Sequence, residues 1–348
     1  MKRIKHFPKT YSVHRQGGFT LVELLVAMGL GLLVIAIAGG ALLLGRQGFD
    51  AVDNGTQLRD KQRLAVDLVT RTIVQAGFED YSSVDTFKNP NATFRADFKN
   101  DTTSLEPDIF GWNNAIYTLP GIDISATTVI ANGDRPGKCG SVTDTSCLNL
   151  SDILVIRYQG VSSPTNVNKS DNSMINCGGN GDRGLITGDL NERGASLFHV
   201  AAVNGEPSLN CSYYSHTASQ WVNQPLIEGV ESFQVLYGTD GVTPNAISAG
   251  AQDSVAERWL RADQLTVAGN APATRDNWRR VRAVRVGLVL RGPVGSAQQA
   301  VATTFNPLGS AYTDTNSVTG SVLTVPADRR LRAASSFTVH VRNDLTTR

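Results

Sequence analysis

The chain has 348 residues of which 41% are apolar, enough for one membrane-spanning segment and a sizeable folded core. Its 32 basic and 31 acidic residues give a formal charge of +1, but the first 18 residues hold five of the cations and no acid, so the remaining 27 bases face 31 acids, near −4. That balance does not favour nucleic acid as a partner, and the chain also lacks HExxH, GxSxG and GxxxxGK[ST], the common hydrolase and nucleotide signatures.

The five cations, Lys2, Arg3, Lys5, Lys9 and Arg15, precede Gly17-Gly18 and an apolar run. They predict a cytoplasmic leader over 1–18. From Leu24 to Gly45 there are 22 uncharged residues, about 33 Å as a helix, against about 30 Å of hydrocarbon. Glu23 stands just inside this run, where an unpaired charge costs about 2.5–3.5 kcal/mol, so it needs a partner. A secretory signal is cut after its apolar region; here the small residues come first, and a cut there leaves the apolar helix attached. Gly18-Phe19-Thr20-Leu21-Val22-Glu23 resembles the type IV prepilin processing motif. The resemblance implies that a prepilin peptidase cuts between Gly18 and Phe19, that Phe19 becomes N-methylated, and that Glu23 is the assembly carboxylate which pairs with an N-terminal amine as subunits enter a filament. A plain signal anchor with a stray acid is the bland alternative.

Beyond the apolar run, Val52, Leu58, Ala65, Val66, Val69, Ile73 and Ala76 recur close to helical spacing with charges between them. They predict one spine helix over 19–78, spanning at 19–45 and amphipathic at 49–78, with Gly45, Gly48 and Gly55 as weak points. Residues 79–151 read as loops and short strands. All four cysteines, Cys139, Cys147, Cys177 and Cys211, lie beyond the membrane segment, in an oxidising exterior, and predict two disulfides. Three connectivities are open; the short loop favours 139 with 147 and 177 with 211. Their spacings of 8, 30 and 34 match no paired CxxC zinc pattern.

Asp152–Tyr158 and Ser196–Val203 read as strands, separated by a polar excursion over 162–193. Within it Gly179, Gly181 and Gly184 match GxGxxG by letter without the strand and helix a dinucleotide site requires. Asp171, Asn172, Asn180, Asp182 and Asp189 offer oxygens to calcium but in no EF-hand spacing, and turn residues look the same. Gly229–Gly238, Val281–Arg291 and Ser336–Arg342 alternate as half-buried antiparallel strands, with a short helix at Ala256–Leu265 between the first two. Arg275, Arg279, Arg280, Arg282, Arg285 and Arg291 beside Trp278 suggest a single-strand nucleic-acid groove; a solvated strand face, or pairing with acids elsewhere, is the simpler reading.

The blocks Ile227-Glu228-Gly229-Val230-Glu231, Trp278 to Val286 and Asp328-Arg329-Arg330-Leu331-Arg332 are, in order and spacing, similar to the PilW family of minor pilins. The expected fold is therefore α+β, a long N-terminal hydrophobic spine helix followed by a mainly antiparallel β head over 79–348. The resemblance implies a non-enzymatic subunit with no cofactor that helps initiate type IV pilus assembly and enters the filament near its tip. Its partners would be other minor pilins and the major pilin, the prepilin peptidase and the inner-membrane assembly platform, with no nucleic acid. It would reside in the inner membrane, head periplasmic, and then in the filament at the cell surface. A type II secretion pseudopilin shares the same N-terminal logic; a signal-anchored exported enzyme and a surface adhesin or DNA receptor are the alternatives of other classes.

Overall fold

The computed structural model describes residues 18–80, 107–115, 148–186, 192–216, 218–250, 252–312 and 320–343. The expected cut after Gly18 thus has only its last leader residue described, and Cys139 and Cys147, with the turns expected over 89–137, lie outside the described residues. The chain divides into two compact units, Met1–Val52 and Asp53–Arg348. Helix α1, Leu21–Val74, contributes to both.

In the first unit α1 carries its apolar side chains bare. Leu25 is 61% exposed, Leu33 56% and Ile35 69%, and the 18-residue window best suited to a membrane has no buried residue. An apolar surface of this extent needs lipid or other helices around it. Helical assignment continues unbroken through Gly45, Gly48 and Gly55.

In the second unit the rest of α1 buries Leu58, Ala65, Val69, Thr72 and Ile73, a stripe at steps of three, four and seven. Leu58, Ala65, Val69 and Ile73 belong to one core with both of the head's main sheets. The helix stops where Gly77, at φ 67°, turns the chain and donates its N–H to the Arg157 carbonyl at 3.0 Å.

The first sheet is antiparallel with spatial order β1 (Ile109–Trp112), β2 (Ile153–Tyr158), β5 (Gly194–Val203), β6 (Glu206–Ser215) and β7 (Gln220–Glu228). The second has order β13 (Arg332–His340), β10 (Val281–Arg291), β8 (Val230–Thr239) and β9 (Arg258–Leu260). Two small hairpins, β3 (Ser162–Ser163) with β4 (Asn166–Ser170) and β11 (Thr303–Phe305) with β12 (Leu323–Val325), complete it. Antiparallel pairing with short turns is what runs of alternating and β-branched residues specify once a helix covers one face.

Asp152 stitches the two sheets together. Its N–H donates to the Phe233 carbonyl at 2.8 Å, and its carboxylate accepts from the N–H groups of Val235 at 2.8 Å and Asn114 at 3.0 Å. Burial pushes this carboxyl up to about 7 despite those donors and nearby Arg261. Phe198 of β5 meets Phe233 of β8 at 6.5 Å in the core between the sheets.

The structure departs from sequence expectation in three places. Strands β8 and β10 are buried on both faces, not half-buried. The second face of β10 is covered by the chain that follows it: Val289 packs with Phe305, Leu323 and Val325, and Gly287 lets the Pro307 carbonyl come so close that a Cβ there would stand 2.4 Å from it. The segment expected as a helix at Ala256–Leu265 forms β9 and then a 3-10 turn, Ala262–Leu265, because pairing of Trp259 with Gly238 and Leu260 with Tyr237 outweighs local helical preference. A real helix, α2, lies just after, at Ala271–Arg279, capped by the Asn270 side chain accepting from the Ala273 N–H, with proline in its first turn. Asn-Ala-Pro is a helix-start signal that the sequence reading passed over.

Candidate functional site

Two places bear on function: the start of α1 and the junction where the first and third C-terminal sequence blocks meet, joined by Arg291 at the end of β10. At the first, Thr20 is the N-cap and Glu23 sits three residues on. The Glu23 carboxylate accepts from the Thr20 N–H and from the Thr20 hydroxyl, each at 3.0 Å, while the Thr20 hydroxyl accepts from the Glu23 N–H at 3.3 Å. This reciprocal capping box, legible as Thr-x-x-Glu but unrecognised in the sequence, folds the acid back toward Phe19. Phe19 is 88% exposed and immediately precedes the N–H that Glu23 binds.

At the second place Glu231, from the start of β8, is nearly inaccessible. Arg332 of β13 reaches it through Nε at 2.6 Å and Nη2 at 3.0 Å, and Arg291 of β10 through Nη1 at 3.0 Å. Arg332 also forks onto Asp328 at 2.7 and 2.6 Å. Glu206, at the turn between β5 and β6, accepts from Arg291 at 2.7 Å and from Arg330 at 2.8 Å. The arginines hold the Asp328 carboxyl down at about 2, Arg332 foremost, and the Arg330 hydrogen bond leads in lowering that of Glu206. Three arginines and three acids thus lock the ends of β8, β10 and β13 to the first sheet's hairpin. Such a network specifies geometry rather than reactivity, since every charge is already answered.

The other arginines singled out from the sequence are absorbed by the fold. Arg275 is buried in α2, Arg282 stands 3.6 Å from Asp240 in the interior, and Arg280 lies 3.5 Å from Asp276. Arg285 stacks over Trp259 at 4.3 Å. Trp278 meets Tyr237 edge-on at 4.7 Å in the core. The expectation of a solvated strand face fails here because both faces of β10 are covered; pairing with acids is what the structure shows.

The polar excursion is more integrated than its composition suggests. Cys177 is bonded to Cys211 of β6, with Cα atoms 5.8 Å apart, and Met174, Asn176 and Asp182 are buried beside it. Asp182, a calcium candidate, accepts from the Tyr158 hydroxyl at 2.6 Å and from Asn176 at 3.2 Å; burial pushes its carboxyl up to about 6. Asp171 caps its own turn through Ser173, and Asn180 donates to the Tyr213 hydroxyl at 2.9 Å. Asp189 lies outside the described residues. Among the described residues no group of three or more histidines, cysteines or acids gathers around a metal-sized site. Gly179, Gly181 and Gly184 lie in the turns and loops of this excursion, not at a strand-to-helix junction. Of the head histidines, His199 is buried against Ser212 at 3.3 Å and Asn223 at 3.1 Å, as part of the sheet.

Comparison with known proteins returns the two ends separately. Residues 13–39 match the prokaryotic N-terminal methylation motif. Residues 197–343 match the type IV pilus-assembly protein W family, and this stretch contains all three sequence blocks and the whole ion-pair junction. The chain is a minor pilin of the PilW family. The two matches together span half of the 348 residues of this minor pilin. Among solved structures, a type IV-like pilin from Thermus thermophilus is similar at 14% identity over 82% of the minor pilin and 96% of that chain, with a TM-score of 0.34. No curated protein sequence matches it. Family membership implies pilus subunits as partners and processing by a prepilin peptidase, and the apolar start of α1 fits a membrane-anchored pilin.

Proposed function

We propose that this minor pilin primes assembly of a type IV filament and is retained near its tip, acting by position and not by catalysis. A peptidase cut between Gly18 and Phe19 frees an amine that is then methylated. The subunit waits in the inner membrane with its head in the periplasm, and its helix enters the filament by exchanging lipid contacts for contacts with neighbouring pilin helices. The observation that carries this reading is the capping box. It holds the Glu23 carboxylate over the backbone of Thr20, one residue from the new amine, so acid and ammonium neutralise each other where water is scarce. Before assembly Thr20 satisfies Glu23 within the subunit; in the filament the amine of Phe19, its own or a neighbour's, takes over.

The test is intact mass and N-terminal sequencing of the protein from its native membrane, with and without active prepilin peptidase, alongside Glu23→Gln. A start at N-methylated Phe19 that disappears without the peptidase, with Glu23→Gln processed but absent from sheared filaments, is the expected result. A start at Met1, a cut beyond Gly45, or normal incorporation of Glu23→Gln would overturn the reading.

A further inference from the structure

Among the described residues, the head's two main sheets have one edge left open for another chain. Sheets in natural proteins protect their outer strands by shortness, proline, charge or bulges. Three of the four outer strands here comply: β1 is four residues long and buried, β9 has three residues, and β7 carries Pro225 beside a register shift at Leu209/Asn210. The fourth, β13, does not. Its nine residues pair with β10 in unbroken register from Arg332 to His340, and Ala333 to Val339 contains no proline, glycine or charge.

Its free side can be assigned residue by residue. The Val341 N–H donates to the Arg282 carbonyl at 2.9 Å, so by antiparallel alternation the odd-numbered residues bond to β10 and the backbone groups of Ala334, Ser336, Thr338 and His340 point outward. The Gln62 side chain of α1 donates to the outward Ala334 carbonyl at 3.3 Å, as that alternation requires. Ser336, Thr338 and His340 are exposed. Beside this edge an open groove of about 520 Å³ runs between β13 at Ser335 and α1 at Arg59, Gln62, Arg63, Val66 and Thr70. Arg59 and Arg63 lie one turn apart on its helical wall, both exposed, and neither has an ion-pair partner among the described residues; the wall's acid, Asp67, is already held by Arg71 at 2.5 Å.

The geometry points to strand addition at β13 by an extended, acid-bearing segment from the head of a different filament subunit, its backbone pairing with Ser336, Thr338 and His340 and its carboxylates reaching Arg59 and Arg63. This rests on the pilin reading above and names the surface through which the head meets a neighbour. Backbone pairing supplies affinity without demanding a particular sequence, and the two cations select for acids and against a basic segment.

The test places a photo-reactive benzoylphenylalanine at Thr338 of the full chain, in cells carrying the complete set of pilus subunits, with the same residue at Gln224 on the blunted β7 edge as control. The expected result is an adduct from position 338, not from 224, that maps by mass spectrometry to an extended segment of another subunit bearing at least two acids. Arg59→Glu with Arg63→Glu should lower its yield at least about tenfold, since like charges then face each other across the interface. Ser336→Pro, which removes an outward N–H and no bond to β10, should do the same. Retention of the Cys177–Cys211 bridge and of protease resistance identifies variants with an intact head. An adduct to a second copy of this chain, to a helix or to a segment without acids, an unchanged yield in both intact variants, or no adduct while the unmodified subunit is present in sheared filaments would overturn the assignment. Absence of the unmodified subunit from filaments would overturn the pilin reading itself, and this inference with it.

Discussion

Replacing Glu231 with alanine should be the most damaging charge deletion in the head. The side chain is 5% exposed and takes three charge-assisted hydrogen bonds, two from Arg332 and one from Arg291. Removing it leaves those guanidiniums, 3% and 18% exposed, with only Asp328 and Glu206 to answer them. Breaking a buried ion pair from one side costs about 3–5 kcal/mol, and the surviving acids place this case at the lower end, about 3 kcal/mol. For a folded unit of this size that lowers the melting temperature by about 6–12 °C. Glu206 is 30% exposed and Asp328 27%, so Glu206→Ala and Asp328→Ala should cost about 1 kcal/mol each. The assay is urea unfolding of the processed, detergent-solubilised protein followed by tryptophan fluorescence, which reports on core residues Trp112 and Trp278. If Glu231→Ala shifts the midpoint no further than Lys61→Ala, whose only ion pair among the described residues is an exposed contact at 4.0 Å to Glu228, the reasoning about burial is wrong.

Cys177→Ser opens a loop of 34 residues and should cost about 3–4 kcal/mol, read as a lower urea midpoint and as new protease cuts within 162–186; an unchanged midpoint would contradict the stapling role. Gly287→Ala pushes a methyl group against the Pro307 carbonyl and should destabilise by about 1–3 kcal/mol, whereas alanine at Gly205, where nothing lies within 4 Å but φ is +83°, should cost no more than about 1 kcal/mol. Asp152 and Asp182 have carboxyls raised in the folded state, to about 7 and about 6 from 3.8. The folded chain therefore binds more protons than the unfolded one above pH 3.8, so their contribution is fully present below 3.8 and is lost as pH rises through about 6 to 7, with a slope of up to about 1.4 kcal/mol per pH unit for each group. Asp328, lowered to about 2, acts oppositely: its contribution is present above 3.8 and lost as pH falls toward 2. A pH series of urea midpoints on Asp152→Asn should show a flatter decline between pH 4 and 7 than the parent; equal slopes would refute the assignment.

The first 45 residues were legible because their chemistry is local. A charge-free run has a length, an acid within it has a cost, and a glycine before it has a direction, so order alone marked a helix long enough to span a membrane with Glu23 inside it, while the pilin class came from the resemblance of Gly18–Glu23 to the prepilin motif. The capping box is equally local: Thr20-x-x-Glu23 is its signature, and the same carboxylate that breaks the apolar run also caps the helix. In the head, β2, β5, β8, β10 and β13 announced themselves through β-branched or alternating runs. Strands β6 and β7 did not, since Glu206–Ser215 and Gln220–Glu228 are polar segments that become strands by pairing with β5 and with each other.

The sequence by itself, with its resemblance to the prepilin motif, therefore determined the class of the protein: a helix too apolar for water and an acid inside it that needs a partner. Tertiary structure decided what the head's charges do. Glu206, Glu231, Arg291 and Arg332 are separated by as many as 126 positions, and no periodicity shows that one junction consumes them while Arg59 and Arg63 line a groove with no ion-pair partner among the described residues. An isolated charge has the same cost wherever it occurs in sequence, but its partner is fixed by which strand ends the sheet brings together, and that follows from pairing and packing over the whole head.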